Sequence, residues 1–260
     1  MLDSFPKFIA VPPAEVLIVT DYDGTIAPIV SDPAHALPVP EVVELLGALV
    51  PLVRGVAVLS ARSQKSLRSV LPVPGVLLIG ENGIEALTPD EHAHLRDFTE
   101  RAIVAVARWP GVVIEAKPAS LSVHFRSRPE IAAELEQVLT DLIAGSGLMM
   151  VANRMVFDVQ SRRGTKVRTM RRLIGEMRPG AVLSAGDSRA DAHVHRCLKA
   201  ARIETLCIGM KSTEMPAYLF KNADLILDGP LEMAALLKRL VRRWSQRPPG
   251  LRHLPDTVAT

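Results

Sequence analysis

Val16-Leu17-Ile18-Val19-Thr20-Asp21-Tyr22-Asp23-Gly24-Thr25 runs four aliphatic residues and a threonine straight into two carboxylates, one residue apart, and a glycine. An unbroken aliphatic and β-branched run bounded by turn formers predicts a strand buried on both faces, as in a parallel sheet. Similar runs recur at 55–60, 76–80, 181–186, 203–208 and 225–227. Between them the stretches 41–53, 63–71, 165–176, 190–200 and 231–244 carry apolar residues at helical spacing. Strand and helix therefore alternate, and the fold class is α/β with a parallel sheet wound on both faces.

The middle of the chain reads differently. Residues 90–108 predict one amphipathic helix with Leu95, Phe98, Ala102, Ile103 and Val106 on its apolar stripe. Strand-like runs at 112–114 and 120–125 follow, then a helix over 129–144 and further strands near 148–152 and 155–159. The alternation in Ser120-Leu-Ser-Val-His-Phe125 is that of an antiparallel strand with one wet face. This α-β-β-α-β-β block is expected to be a cap domain at 85–160, inserted into a core made of 1–84 and 161–246. Residues 247–260, with Pro248-Pro249-Gly250 and Pro255, are expected to form a loose tail.

Composition bounds the chemistry. The chain has 260 residues, 48% of them apolar and 23% charged, which excludes disorder and fibrous repeats and leaves enough chain for a sizeable core. The 31 Lys and Arg nearly balance the 28 Asp and Glu. No strong positive field is present for nucleic acid, and the basic pairs Arg162-Arg163, Arg171-Arg172, Lys238-Arg239 and Arg242-Arg243 lack interleaved aromatics, as solvated faces do. Only Cys197 and Cys207 occur, without CxxC spacing, so two reduced thiols in a reducing, cytoplasmic compartment are expected. No apolar run approaches the ~18 residues of a membrane span, and Asp3 and Pro6 interrupt any secretion signal.

In open α/β sheets the reactive groups gather at the carboxyl ends of strands, where Asp21 and Asp23 stand. A DxD at a strand end is also common turn filler. Three further features come in order: Ser60-Ala-Arg62 after the second strand, Gly164-Thr-Lys166 where the chain returns to the core, and Gly186-Asp187-Ser-Arg-Ala-Asp191 after the next buried strand. Alone, Ser60 reads as a helix cap, Lys166 as a solvated lysine, and Asp187 with Asp191 as a cap plus a surface acid or a cation site. A carboxylate pair, a hydroxyl, an ammonium and a second carboxylate pair, all at strand ends or at the return to the core, are hard to assign to chance.

These motifs resemble the four motifs of the haloacid dehalogenase superfamily. The longer Asp21-Tyr-Asp-Gly-Thr-Ile-Ala-Pro-Ile29, with the place and content of the insertion, resembles the trehalose-6-phosphate phosphatases over about residues 15–230. The resemblance implies a Rossmann-like core with an inserted α+β cap of the C2B type, and a Mg²⁺-dependent phosphatase acting on trehalose 6-phosphate. Asp21 would be the nucleophile and Asp23 the general acid and base, with Ser60 and Lys166 on the phosphoryl oxygens. Asp21, the main-chain carbonyl of Asp23, and Asp187 would hold Mg²⁺, while Asp191 would position Lys166 or a metal-bound water.

The resemblance extends to sugar recognition. Arg62, Glu115, Lys117, Ser122, His124, Arg126, Arg154 and Asp158 would bind the substrate, each sugar hydroxyl both donating and accepting. A charged solvent face on an antiparallel sheet is the competing reading of the cap residues. The chain departs from the family pattern at Ser188, at Ala190-Asp191-Ala192, at Ala61, at Glu81-Asn-Gly83, and in the cap at Arg154 and Asp158. Asp191, His193 and His195 do not form a metal cluster, because helix positions two apart point ~200° away from each other. The alternatives to trehalose 6-phosphate are another sugar phosphate or pseudo-disaccharide phosphate, or a catalytically silent sugar-phosphate sensor. The partner expected is a small sugar phosphate, with no nucleic acid and no membrane. The oligomeric state is left open, a monomer being the simplest case.

Overall fold

The computed structural model describes residues 2–30, 35–84, 87–153, 155–162, 165–211 and 220–246. Arg154, Arg163, Gly164 and the 247–260 tail lie outside the described residues. Along the chain come α1 (Pro6–Ala10), β1 (Val16–Thr20), α2 (Pro40–Leu49), β2 (Gly55–Leu59), α3 (Gln64–Val70), β3 (Val76–Ile79) and α4 (Pro89–Val106). Then follow β4 (Val113–Ala116), β5 (Ser120–His124), α5 (Ala132–Ile143), β6 (Leu148–Asn153) and β7 (Val156–Ser161). The chain continues through α6 (Lys166–Met177), β8 (Ala181–Gly186), α7 (Arg189–Lys199), β9 (Glu204–Met210), β10 (Leu225–Leu227) and α8 (Pro230–Ser245).

Six strands form one sheet in the order β10-β9-β8-β1-β2-β3, all pairs parallel. β1 shows why its run is apolar without alternation. Val16 and Ile18 pack on one face with Val42, Leu46, Leu236 and Leu240 of α2 and α8. Leu17 and Val19 pack on the other with Met170, Leu173, Val194 and Leu198 of α6 and α7. The edge strands depart from the expectation of burial on both faces. Leu77 of β3 is 42% exposed and Ile226 of β10 is 47% exposed, each strand having a neighbour on one side only.

β4 to β7 make a separate antiparallel sheet in the order β4-β5-β7-β6. Leu121, Val123, Phe157 and Val159 on one face of it bury against Leu95, Phe98, Ala102 and Val106 of α4 and Leu135 and Leu139 of α5. Thr88 starts α4 with a capping box to Glu91, satisfying main-chain N–H groups that the helix itself leaves unpaired. Two expectations are corrected here. Ile103 is 52% exposed and lies off the α4 stripe, because successive contacts at 95, 98, 102 and 106 leave it about 100° away. The polar face of β5 is drier than expected, since Ser120 and Ser122 are buried and only His124, at its end, is partly exposed. Its polar face borders the cavity between the cap sheet and the core, which Ser122 and His124 line.

Both cysteines are free, and burial pushes the Cys207 thiol up to about 12. Cys197 is half-buried and accepts a hydrogen bond from Arg171 Nε at 3.3 Å. A thiol-disulfide colour assay on the folded chain at pH 8 should therefore count one reactive thiol and, after denaturation, two. Two fast thiols in the folded state would show that the β9 interior is open.

Candidate active site

The carboxyl ends of β1, β2 and β8 lie side by side, since Thr20 pairs with both Val58 and Ala185. The residues that follow each strand therefore meet at one edge. Asp21 follows β1, with its own N–H donating to Ala185 O at 2.8 Å, and its Oδ1 accepts the N–H of Tyr22 at 2.8 Å. Lys166, the first residue of α6, places Nζ 2.9 Å from Asp21 Oδ1 and 2.9 Å from Asp191 Oδ1. Thr165 fixes that helix start by accepting the N–H of Arg168. The other oxygen of Asp191 accepts the N–H and hydroxyl of Ser188, a capping box that aims the carboxylate at Lys166.

These groups are buried. Lys166 is 4% exposed, Asp191 5%, Asp21 8% and Asp187 8%. Burial opposes the Lys166 ammonium, yet the Asp191 and Asp21 carboxylates outweigh it and raise its pKa. Burial also opposes ionised Asp191, but the Lys166 charge and the Ser188 hydrogen bond hold it below the usual carboxylate range. Asp21 is pushed well up, by burial first and then by the Asp191 and Asp187 charges, against the pull of Lys166. Oxygens of Asp21, Asp187 and Asp191 lie within 4.8 Å of one another. Among the described residues these three carboxylates cluster beside the Lys166 ammonium, an oxygen donor set that suits a hard cation. The backbone makes room for them. Gly24, at φ +75°, lies so close to Asp187 that a Cβ there would come within 2.2 Å of Oδ2. A Cβ at Gly186 would likewise meet Asp191 Cγ at 2.0 Å. The residues present thus fit a divalent cation.

Asp23 lies beside this cluster with its side chain 39% exposed. Arg62 grips it in a two-pronged pair, Nε to Oδ2 at 2.8 Å and the guanidinium NH2 to Oδ1 at 2.7 Å, and stacks 4.6 Å above the Tyr22 ring. Arg62, expected on the substrate, is thus engaged with a neighbouring site carboxylate. Ser60 is 1% exposed, and its Oγ accepts the N–H of Arg62 at 3.1 Å. The reading of Ser60 as a helix cap is corrected: α3 is capped by Ser63, which accepts from Ser66 N.

The cap sheet supplies the opposite wall of a cavity of about 520 Å³. Its register places Ser122 between Glu115 and Asp158. Lys117 Nζ donates to Ser122 Oγ at 2.8 Å, and Ser122 in turn donates to Asp158 Oδ1. Asn153 Nδ2 donates to Asp158 Oδ2 at 2.8 Å. Glu115 Oε2 lies 3.0 Å from His124 Nε2 and 3.7 Å from Lys117 Nζ. The His124 hydrogen bond, helped by the Lys117 charge and opposed by burial, holds Glu115 below the usual range. Arg126 is exposed and also lines the cavity.

Asn82, Asn153, Gln160, Arg189 and His193 line the cavity as well, and sequence reasoning missed them. Gln160 was within reach, being two residues beyond Asp158 on the same strand and so on the same face. His193, read as incidental, is on the cavity side of α7, while His195 is fully buried, as their angular separation requires.

The trehalose-phosphatase family model matches residues 19–217, from the end of β1 through β9. The chain belongs to the trehalose-phosphatase family. It is 30% identical over 193 residues to a bifunctional trehalose-6-phosphate synthase/phosphatase of Thermoproteus tenax, covering 67% of this chain and 26% of that protein. A trehalose-phosphate phosphatase of Mycobacterium leprae is 34% identical over 118 residues, 41% of this chain and 27% of its own length. The chain thus spans about a quarter of the length of these relatives. The C-terminal domain of Candida albicans trehalose-6-phosphate phosphatase superposes with TM-score 0.75 at 19% identity, covering 93% of this chain and 95% of that one. A haloacid dehalogenase-like hydrolase of Bacteroides thetaiotaomicron superposes with TM-score 0.61 at 14% identity, over 86% of this chain and 98% of that one. This trehalose-phosphatase family member therefore has the haloacid dehalogenase fold.

Gly24→Ala should abolish divalent-cation binding at this cluster while the fold persists, because a Cβ at Gly24 would displace the Asp187 carboxylate and strain a left-handed position. Calorimetry with Mg²⁺ and circular dichroism check it; binding unchanged from wild type would remove Asp187 from the cation site.

Proposed function

We propose that this chain is a Mg²⁺-dependent phosphatase that hydrolyses trehalose 6-phosphate to trehalose and phosphate in a reducing, cytoplasmic compartment. Family membership supports the reaction class. The observation that carries the reading is one buried ammonium, Lys166, shared between Asp21 and Asp191 at the floor of a cavity walled by the polar strands of the cap. Two free cysteines agree with a reducing compartment, and among the described residues no helix is long and apolar enough to cross a membrane.

Asp21, the main-chain carbonyl of Asp23, and Asp187 would hold the Mg²⁺, with Asp191 left to position Lys166. The cation supplies positive charge that offsets repulsion between the phosphate dianion and the carboxylates. An Asp21 carboxylate oxygen attacks phosphorus, and the bond from phosphorus to the sugar oxygen breaks. Asp23 gives its proton to that oxygen, releasing the sugar alcohol and leaving an aspartyl phosphate. Asp23, now a carboxylate, then takes a proton from water as the water oxygen attacks phosphorus, and the bond to Asp21 breaks to free phosphate. Ser60 and Lys166 donate hydrogen bonds to the phosphoryl oxygens as their charge grows. Arg62 fixes the orientation of Asp23 through both of its oxygens.

On the cap side Glu115, Lys117, His124 and Arg126 bind the non-reacting sugar. Asp158 favours a second reading within the same class, another sugar phosphate or pseudo-disaccharide phosphate. Both of its oxygens are spent inside the cap, on Ser122 and Asn153, leaving fewer acceptors for the hydroxyls of a disaccharide.

Asp21→Asn should lower turnover at least ~10³-fold without loss of fold, and excess EDTA should silence the wild type until Mg²⁺ is restored. Phosphate release by the variant at the wild-type rate would remove Asp21 from the mechanism. Glu115→Ala and Lys117→Ala should each lower kcat/KM for trehalose 6-phosphate roughly tenfold to a hundredfold, while sparing p-nitrophenyl phosphate, which needs no cap. Equal losses on both esters would assign these residues to the fold.

A further inference from the structure

The chain passes from core to cap just after β3 and returns just after β7, and the two passages are fastened together. Glu81-Asn82-Gly83 follows β3 with three successive positive φ values, +52°, +55° and +90°. Gln160 and Ser161 end β7, just ahead of the α6 cap Thr165. Asn82 Nδ2 donates to Gln160 Oε1 at 2.9 Å, a buried bond between residues 78 apart in sequence. The main chain of Asn82 is anchored in the core: its N–H donates to Ser60 O at 2.9 Å, and its carbonyl accepts the Thr169 hydroxyl at 2.6 Å. The main chain of Glu81 is anchored in the core as well, its N–H donating to Arg62 O at 2.7 Å. Asn82 is 8% exposed, and among the described residues no donor reaches its Oδ1. Both Asn82 and Gln160 border the cavity.

Most residues pay steric strain for a left-handed backbone, whereas asparagine tolerates it. Asparagine here supplies both that backbone and a side-chain amide that reaches the returning strand. Gln160 lies on the same face of β7 as Asp158, two residues on, so holding Gln160 sets the distance between the polar face of the cap and the Ser60 end of β2. We propose that Asn82 is a positioning residue: through Gln160 it latches the cap against the core, and so aligns a large leaving group with Asp21 while leaving a small ester unaffected. The proposal rests on reading the cavity as a sugar-phosphate site.

The test uses the full chain. Asn82→Gly retains the left-handed backbone and deletes the amide, and Gln160→Met keeps the bulk and deletes the acceptor. Each variant and the double variant are assayed with trehalose 6-phosphate and with p-nitrophenyl phosphate, and amide hydrogen exchange over 81–84 and 158–161 is followed without substrate. Each single change should lower kcat/KM for the sugar phosphate roughly three- to tenfold, the double change no more than the worse single one, with p-nitrophenyl phosphate within about twofold of wild type. Exchange at both junctions should quicken in every variant. Losses that multiply in the double variant, equal losses on both esters, no loss at all, or unchanged exchange would each overturn the latch. Wild-type protein that cleaves p-nitrophenyl phosphate but not trehalose 6-phosphate would reject the substrate reading instead, and the exchange rates would still decide the latch.

Discussion

A lysine ammonium held 2.9 Å from each of two carboxylates, with all three groups almost wholly out of water, constrains everything around it. Burying any one of these charges alone would be expensive, and removing a partner would leave an uncompensated charge in a medium of low effective dielectric. The surrounding backbone is arranged to keep them in place. β1 and β8 are hydrogen-bonded neighbours, so Asp21 and Asp187 emerge at one level. The first residue of α6 and the third residue of α7 bring Lys166 and Asp191 to the same point. Gly24 and Gly186 stand where a side chain would collide with Asp187 and Asp191. The clustered oxygens of Asp21, Asp187 and Asp191 make the spot attractive to a cation and, with that cation, to a phosphate.

Core and cap divide the work by different physics. In the core, two apolar layers clamp a parallel sheet whose strand ends supply charged groups at fixed spacing, a rigid base for a reaction that demands alignment. The cap has its own apolar cluster on one face of its sheet, and on the other a chain of hydrogen bonds, Lys117 to Ser122 to Asp158, with Asn153 behind. That chain satisfies buried polar groups at the cost of their availability to a ligand. Glu115 and His124, nearer the open side, are paired with each other. On the proposed reading, specificity would rest on these charges and on how the cap is held over the core, where Asn82 and Gln160 meet.

Much of this organisation was legible in the sequence, and the limits of legibility have a physical cause. Unbroken aliphatic runs, the alternation of residues 120–125, and carboxylates, hydroxyl and ammonium at strand ends or the return to the core are local patterns, because a strand's period and a helix's period are properties of the chain itself. They sufficed to give an α/β core with an inserted antiparallel unit and to name Asp21, Asp23, Ser60, Lys166, Asp187 and Asp191, which the structure gathers at one sheet edge. What escaped depends on which surfaces meet. Ile103 falls outside the buried stripe because α4 turns only part of its apolar arc to the sheet. Leu77 and Ile226 are exposed because nothing in a strand's own residues says that it will be an edge. Ser60 proved to border a turn whose helix is capped three residues later. Arg62 on Asp23 and Asn82 on Gln160 join residues 39 and 78 positions apart, across loops whose course no local period specifies. Sequence alone determined the elements and the chemical groups at their ends; tertiary structure decided which of those groups are spent on one another and which face the cavity, because a hydrogen bond across a fold depends on three-dimensional distance, which periodicity does not encode.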